Sequence, residues 1–488
     1  MINPSKAFLN STNKSFLTQI LPVILILGIG AVIILKMPSL SDRIGESDSP
    51  QINLILFAIA PLIGVGWLVL LLTGRHIQAL LTLIISLPFF TRSTELISIN
   101  AITTPSGGTV SLGLTTVAIL LFGATLLFTP QKGTRPVPIW VIIPLLVYSV
   151  TGTISQILNH HIGSALLLSL GAFWQWIVLL YIVFRVVNTP DRVTMVLKAI
   201  VLALIVGSLL RIATTGIFFF AKSESGELLR VGGSGFGSPL FYSGYLAMGL
   251  VITLFLVRRS ESFLSTALWG GAFVLLTMEL LNTSTRGGIL AFVIGFLVIA
   301  ILERRRTTIV VTSLFVITLP LTTTLFESAF TGSREFPINS QLLEVPHVQD
   351  RIDLIRITGP RLFDQQGFGY GITNTQIFFV NEKMLTSHNL YGSVAFEAGG
   401  IAMMALIMLT ISIGIQFAKI RQSSTASRDA LTIYVGAALI AWLTHANTSS
   451  TFITWLVPYE AIFLIFLTAF LFLGLRNPRD LPPQMARH

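Results

Sequence analysis

Apolar runs of about 18 residues or more recur along this chain, and each is long enough to cross the hydrocarbon core of a bilayer. The composition agrees, because 53% of the residues are hydrophobic and only 11% are charged, against about 25% charged in globular proteins. The sequence therefore predicts an all-α, polytopic transmembrane helix bundle of about 14 spans. The expected spans are 16–37, 53–73, 77–93, 110–129, 137–157, 163–187, 193–219, 239–257, 263–281, 287–302, 307–326, 392–418, 429–447 and 455–475.

The positive charges predict how these spans are oriented. Lysines and arginines concentrate in alternate loops, such as 303–306, and the intervening segments, such as 41–49, are acidic on balance. Because positive loops stay in the cytoplasm, both termini are expected inside and the long 327–390 loop outside. The net charge of +10 is explained by these inner loops, so no nucleic-acid partner is expected. The chain has no cysteine, which excludes disulfides and thiolate metal sites.

The 327–390 loop is expected to be partly helical and functional, because loops of this length without structure are uncommon. Residues 348–358 predict a short amphipathic helix. Its apolar residues are Ile352, Ile355 and Ile357, and its charged residues are Asp350, Arg351, Asp353 and Arg356. The run Gly367-Phe-Gly-Tyr-Gly follows. Alternating glycines allow positive φ and a close approach of the backbone to a partner.

Arg286 is the strongest candidate for a binding residue. It opens the span 287–302 directly after the polar stretch 282–285. A helix N-terminus favours an anion, and the guanidinium fork matches phosphate oxygens. An interfacial arginine that only extends toward water is the alternative. His388 and Glu397, on either side of the next span's start, are the candidate catalytic residues, since intramembrane acids are rare.

Two further arginines are candidate anion ligands. Arg211 lies toward the outer end of its span, and Arg230 precedes a glycine-rich stretch that lacks the strand and the Gly-Lys-Ser/Thr of a P-loop. Glu279 is expected to form an ion pair within the bundle, close in sequence to Arg286. The pair His160-His161 has no third ligand nearby, so no metal is expected.

The order of these motifs resembles the O-antigen ligase and O-antigen polymerase superfamily over residues 230–415. The resemblance is carried by Ser284-Thr-Arg-Gly-Gly opening one span, the outer loop with its glycine turn, and His388-Asn-Leu-Tyr with Glu397-Ala-Gly-Gly-Ile at the next. It implies a glycosyltransferase of the bacterial inner membrane that needs neither metal nor cofactor. The donor would be a glycan on undecaprenyl diphosphate. The acceptor would be a glycan or lipid A-core on the periplasmic side.

The resemblance implies roles for Arg286, Arg351 and His388, and the remaining candidates are expected to support them. Arg286 and Arg351 would bind the donor diphosphate, and His388 would act at the acceptor hydroxyl with Glu397 beside it. The supporting diphosphate ligands would be Arg211, Arg230 and Arg356. One base and no close pair of carboxylates predicts inversion at the anomeric carbon.

The chain is expected to divide into three regions: 1–229 with the N-terminal spans, 230–418 with the ligase-like catalytic region, and 419–488 with the C-terminal spans and a cytoplasmic tail. Two alternatives stay open. A transporter or flippase for lipid-linked glycans would also need many spans, and it would be expected to show inverted repeats. A protein O-oligosaccharyltransferase would use the same chemistry on a protein acceptor.

Overall fold

The computed structural model describes segments of the chain between residues 62 and 448. The described residues are 62–96, 99–103, 109–112, 114–128, 138–160, 162–215, 239–283, 285–303, 367–371, 378–380, 383–385, 390–422 and 430–448.

These residues are predominantly helical, in agreement with the sequence. Most expected spans that fall within them coincide with helices to within a few residues. The helices are α1 (Leu62–Leu72), α2 (His76–Leu96), α3 (Leu114–Phe128), α4 (Ile139–Asn159), α5 (Ile162–Ser169), α6 (Gln175–Val186), α7 (Pro190–Thr215), α8 (Pro239–Arg258), α9 (Phe263–Asn282), α10 (Arg286–Leu302), α11 (Leu390–Glu397), α12 (Gly400–Gln422) and α13 (Ala430–Thr448).

Seven helices of the described part are long and apolar enough to cross a membrane, so the chain is a helical membrane protein by length and composition. They are Ile139–Asn159, Ile162–Val186, Pro190–Ala213, Phe241–Arg258, Phe263–Asn282, Gly400–Ala418 and Ala430–Asn447. The second of these consists of α5 and α6 joined by a π-helical segment, Leu170–Trp174. The expected spans 16–37, 307–326 and 455–475 lie outside the described residues.

Two short antiparallel hairpins add to the all-helical architecture that the sequence predicts. Strand β1 (Ile99–Thr103) pairs with β2 (Thr109–Leu112), and β3 (Phe378–Val380) pairs with β4 (Lys383–Leu385). The first hairpin is rich in Ile, Val and Thr, which favour strands. In the second, Val380 faces Lys383 across a two-residue connection, the commonest length for a hairpin.

The expected span 392–418 is wrong in one respect, because the structure divides it into α11 and α12. The division falls at Gly399, whose φ is +94°. The amides of Ala398 and Gly399 both donate to the carbonyl of Val394, at 2.8 and 3.2 Å. This arrangement is a common helix ending, with glycine in the left-handed region. The Tyr391 hydroxyl shares a 2.7 Å hydrogen bond with Thr410 Oγ1, so α11 folds back along α12.

Helix α8 is the centre of the region that carries the candidate site. It packs against α7, α9, α10 and α13, and 78% of its span is buried. Small residues allow close packing between membrane helices: a Cβ on Gly295 of α10 would lie 3.1 Å from the Ala441 Cβ of α13. Only 28% of the span of helix α9, in contrast, is buried, as expected of a lipid-facing helix.

Candidate functional site

Helix α10 begins at Arg286, as the sequence predicts. Thr285 is the N-cap residue, with φ −102° and ψ 113°, and its side chain makes no cap bond to α10. Its hydroxyl instead shares a 2.8 Å hydrogen bond with that of Thr283. The first amides of a helix have no acceptor within it, and Gly287 and Gly288 add no side chains over them. We call the end of the bundle at which α10 begins the upper end.

A buried ion pair joins α7 and α9 at the upper end. Arg211 Nε donates to Glu279 Oε2 at 2.6 Å, and one terminal nitrogen of Arg211 also donates to Oε1. Each residue is 1% exposed. The planar fork of arginine therefore meets both carboxylate oxygens, which is the strong geometry for such a pair. Glu279 does form an ion pair within the bundle as expected, but its partner comes from α7.

A tyrosine and a serine complete this network. The Tyr242 hydroxyl, from the first turn of α8, donates to Glu279 Oε2 at 3.3 Å and shares a 2.8 Å hydrogen bond with Ser208 Oγ. Ser208 Oγ also lies 2.8 Å from the Leu204 carbonyl, so the serine proton is donated either to this carbonyl or to the tyrosine oxygen. The network thus connects three helices and is fixed to the backbone of α7. We call Ser208, Arg211, Tyr242 and Glu279 the ion-pair network.

A second polar contact begins at the next residue of α8. Ser243 Oγ and His445 Nε2 share a hydrogen bond of 3.0 Å, and both residues are fully buried. His445 lies in the last turn of α13. A Cβ placed on Gly288 would lie 2.5 Å from the Ser243 Cβ, so the backbone of the first turn of α10 rests directly on Ser243. His445 was not a candidate from the sequence, although an ionisable residue near the end of a span was the available signal.

The glycine turn packs on α4 and on the break between α11 and α12. The amide of Gly371 donates to Ser155 Oγ at 3.1 Å, and Asn159 Nδ2 donates to the Gly369 carbonyl at 3.3 Å. The amide of Tyr370 donates to the Phe396 carbonyl at 2.7 Å. These contacts fix the turn at the end of α4.

The backbone of the glycine turn confirms the sequence interpretation. Gly367, Gly369 and Gly371 have φ values of +85°, +75° and +82°. A Cβ on Gly369 would lie 2.6 Å from both the Gly399 amide nitrogen and the Phe396 carbonyl oxygen. Positive φ and close approach of the backbone are both present, as the alternating glycines predict.

Glu397, the predicted catalytic carboxylate, is the last residue of α11 and is 1% exposed. This burial agrees with the apolar sequence around it, Val394-Ala-Phe-Glu-Ala. Its backbone carbonyl accepts a hydrogen bond from Ser155 Oγ at 2.7 Å, so the same serine contacts both α11 and the glycine turn. The catalytic role of its carboxylate stays a prediction.

Of the other predicted site residues, Arg211 alone has its side chain within the described part of the chain. His388, Arg230, Arg351 and Arg356 lie outside the described residues, and Arg286 is described through its backbone. Arg211 is placed in the ion-pair network. Across the described ranges, no group of three His, Cys, Asp or Glu side chains could hold a metal ion.

No protein-family model matches this chain, and the comparison with curated proteins finds no match. The function is therefore inferred from the residues and their geometry.

Proposed function

We propose that this protein is a glycosyltransferase of the bacterial inner membrane, of the O-antigen ligase or polymerase type. The carrying observation is the ion-pair network, which lies buried at the upper end where α10 begins at Arg286. Ionisable groups inside a membrane bundle are costly and mark functional sites. Here they converge at the end of the bundle that also carries an arginine at a helix N-terminus.

The charge pattern supports an upper end on the periplasmic side. The loops at the opposite ends of these helices carry the basic residues, among them Arg258, Arg259 and Arg304–Arg306. Consecutive spans alternate in direction, so the start of α12 and the glycine turn belong to the same side as the start of α10. In this topology of about 14 spans, both termini are cytoplasmic and the 327–390 loop is outside.

In the proposed mechanism, arginines neutralise the diphosphate of an undecaprenyl-linked glycan. Arg286 and Arg351 bind it directly. Arg230 and Arg356 support them by contributing positive charge around the site. Arg211 was expected to do the same, but its charge is balanced by Glu279, so its proposed role is to hold α7 against α9 beside the site. Diphosphate becomes a good leaving group once its charge is balanced, and guanidinium groups can do this without a metal or cofactor. The backbone amides at the start of α10 favour the same anion.

His388 removes the proton of the acceptor hydroxyl, because an imidazole with an ordinary pKa near 6.5 is suited to base catalysis at neutral pH. Glu397, buried at the end of α11, is the carboxylate proposed to assist it. The hydroxyl oxygen attacks the anomeric carbon as the bond to the diphosphate breaks, which inverts the configuration. His388 holds the proton that the hydroxyl has lost and later releases it to water. Undecaprenyl diphosphate is the leaving group and stays in the membrane.

A transport function is less well supported by the positions of the charges. Transporter sites lie near the midplane of the bilayer, at broken helices related by inverted repeats. Arg211 and Glu279 lie within about the last turn of α7 and α9, which is close to the membrane surface. A protein acceptor, in contrast, would require the same site, so it is distinguished only by the assay.

The test is transfer by the purified full chain in lipid nanodiscs. A synthetic polyprenyl-diphosphate oligosaccharide is supplied with glycan, lipid A-core or peptide acceptors, and mass spectrometry detects the product and the released carrier. We expect glycan transfer without added metal. Arg286→Lys should lose most of it, because an ammonium cannot reproduce the fork, and Arg75→Lys on an exposed loop is the matched control. Movement of intact donor across a liposome bilayer, with no cleavage, would establish a flippase instead.

A further inference from the structure

We propose that His445 is a positioning residue for the donor site, which acts through Ser243 on the first turn of α10. The inference rests on the proposed function, since it assigns to Arg286 the diphosphate that His445 helps to place. His445 itself contacts α8, and the effect on the donor is transmitted by packing.

The contacts form a short chain from α13 to α10. His445 Nε2 and Ser243 Oγ are 3.0 Å apart. The Ser243 Cβ occupies the space beside Gly288 in which a side chain would otherwise stand. Gly288 is two residues after Arg286, so the turn that presents the arginine is in direct contact with the serine that His445 holds.

Helix α10 has little freedom to adjust on this side. About two turns after Gly288, Gly295 approaches Ala441 of α13 and Val251 of α8 closely enough that a Cβ would lie 3.1 and 2.9 Å from them. The helix is thus held between α8 and α13 at two levels. A shift of Ser243 would be passed to the first turn, because close-packed interiors do not absorb such changes.

The first turn of α8 also couples this contact to the ion-pair network. Tyr242 donates to Glu279, and Ser243 is bonded to His445. Adjacent residues of one turn therefore point to α9 on one side and to α13 on the other. An apolar residue would pack at position 445 without the cost of burying a polar ring. The histidine is thus better explained by the orientation it imposes than by stability.

The test replaces His445 by glutamine or by asparagine, because their side-chain amides reach the positions of different nitrogen atoms of the imidazole ring. Glutamine places its terminal group near Nε2, the atom that bonds Ser243, whereas asparagine reaches only the position of Nδ1. We expect His445→Gln to keep the donor KM within about threefold of the wild type. His445→Asn and Ser243→Ala should raise it by about tenfold or more, because displacements of about 1 Å in positioning groups have effects on this scale. Asn447→Ala, whose side chain bonds only to Leu443 within α13 in the contacts described, is the control.

A positioning role for His445 predicts two further results. The acceptor KM and the pH profile should be unchanged, since His445 is not the proposed base. The combined variant Ser243→Ala/His445→Asn should be no worse than either single variant, because both break the same bond. Equal donor KM values for His445→Gln and His445→Asn would overturn the inference, as would a shifted pH profile.

A measurement that does not depend on catalytic activity distinguishes the positioning role of His445 from the proposed glycosyltransferase function. The chain has no cysteine, so spin labels can be attached at Leu290→Cys and Met278→Cys, both exposed, to report the distance between α10 and α9. His445→Asn should change this distance and His445→Gln should not. If the wild type neither binds nor transfers the donor, the proposed function fails whatever the labels report. An unchanged distance in His445→Asn overturns the positioning role alone.

Discussion

Arg211 and Glu279 show what a buried charge requires inside a membrane bundle. Each would be costly alone, and each is compensated by the other through two directed hydrogen bonds and by Tyr242. The stability of the bundle therefore depends on both charges being present together. Its removal as a unit costs much less than the removal of one member, which leaves the other charge buried without a counter-charge.

This difference gives a test at the level of single residues. Arg211→Met or Glu279→Leu alone should destabilise the protein by about 3–5 kcal/mol, and the double variant should recover most of that loss. Thermal unfolding in detergent measures the order of the three variants. Arg258→Met is the control, because its ion pair with Glu303 is 40% exposed on the arginine side and surface pairs contribute about 0–1 kcal/mol. Additive losses in the double variant would contradict a compensated pair.

The sequence predicted that Glu279 would be paired within the bundle, but it did not identify the partner. Arg211 and Glu279 are 68 residues apart, and hydropathy does not say which spans are neighbours. The same limit explains why His445 was missed, since its importance depends on α13 packing against α8 and α10. The sequence shows which ionisable residues lie within a span and how near they are to its end, but it does not show which helices contact one another.

At the scale of elements, the glycine turn and the break before α12 form one interlocked unit. A Cβ on Gly399 would overlap the Gly367 carbonyl, and a Cβ on Gly369 would meet the backbone at Gly399 and Phe396. Each glycine thus makes room for the other segment. The turn was predictable because its glycines alternate, but the break was not, because hydropathy averages over the apolar residues on both sides of Gly399.

Alanine substitutions should show that Gly369 and Gly399 are required for the fold of this unit, whereas a glycine within a helix is not. We expect Gly369→Ala and Gly399→Ala to abolish most glycan transfer, because the added methyl group forces the turn away from α11 and their positive φ disfavours any side chain. Gly414→Ala in α12 is the control, since nothing lies within 4 Å of its added Cβ and alanine favours a helix. Both activity and detergent-phase stability are measured. Full transfer by Gly399→Ala would show that the turn does not shape the site.

At the scale of the whole molecule, length and hydropathy were reliable guides, because a bilayer imposes a minimum helix length and the satisfaction of every backbone group. Helices α4, α8, α9 and α13 begin and end within a few residues of their expected limits. Strand β2 (Thr109–Leu112) occupies the first residues of the expected span 110–129, so that limit was wrong, because hydropathy does not distinguish an apolar strand from the start of a helix. The other three strands lie between expected spans, where hydropathy gives no signal. The direction of the bundle depends on a different signal, the distribution of positive charge.

That direction can be tested because the chain has no cysteine of its own. Ile162→Cys and Phe263→Cys introduce single exposed thiols at helix starts that the proposed topology puts on opposite faces, outside and inside respectively. Ser340→Cys adds a thiol in the 327–390 loop. A membrane-impermeant maleimide should label Ile162→Cys and Ser340→Cys in spheroplasts, and Phe263→Cys only after lysis. The unsubstituted chain measures background.

The labelling pattern bears directly on the chemistry, because the proposed donor glycan must meet Arg286 and His388 on the face where the acceptor is found. Labelling of Phe263→Cys in intact spheroplasts, with Ile162→Cys and Ser340→Cys protected, would show that the bundle has the opposite orientation. The start of α10 would then lie in the cytoplasm. Transfer to a periplasmic acceptor would then be impossible at this site. Labelling of Ile162→Cys and Phe263→Cys from the same side would instead contradict the alternation of spans, and with it the joining of the glycine turn to the upper end.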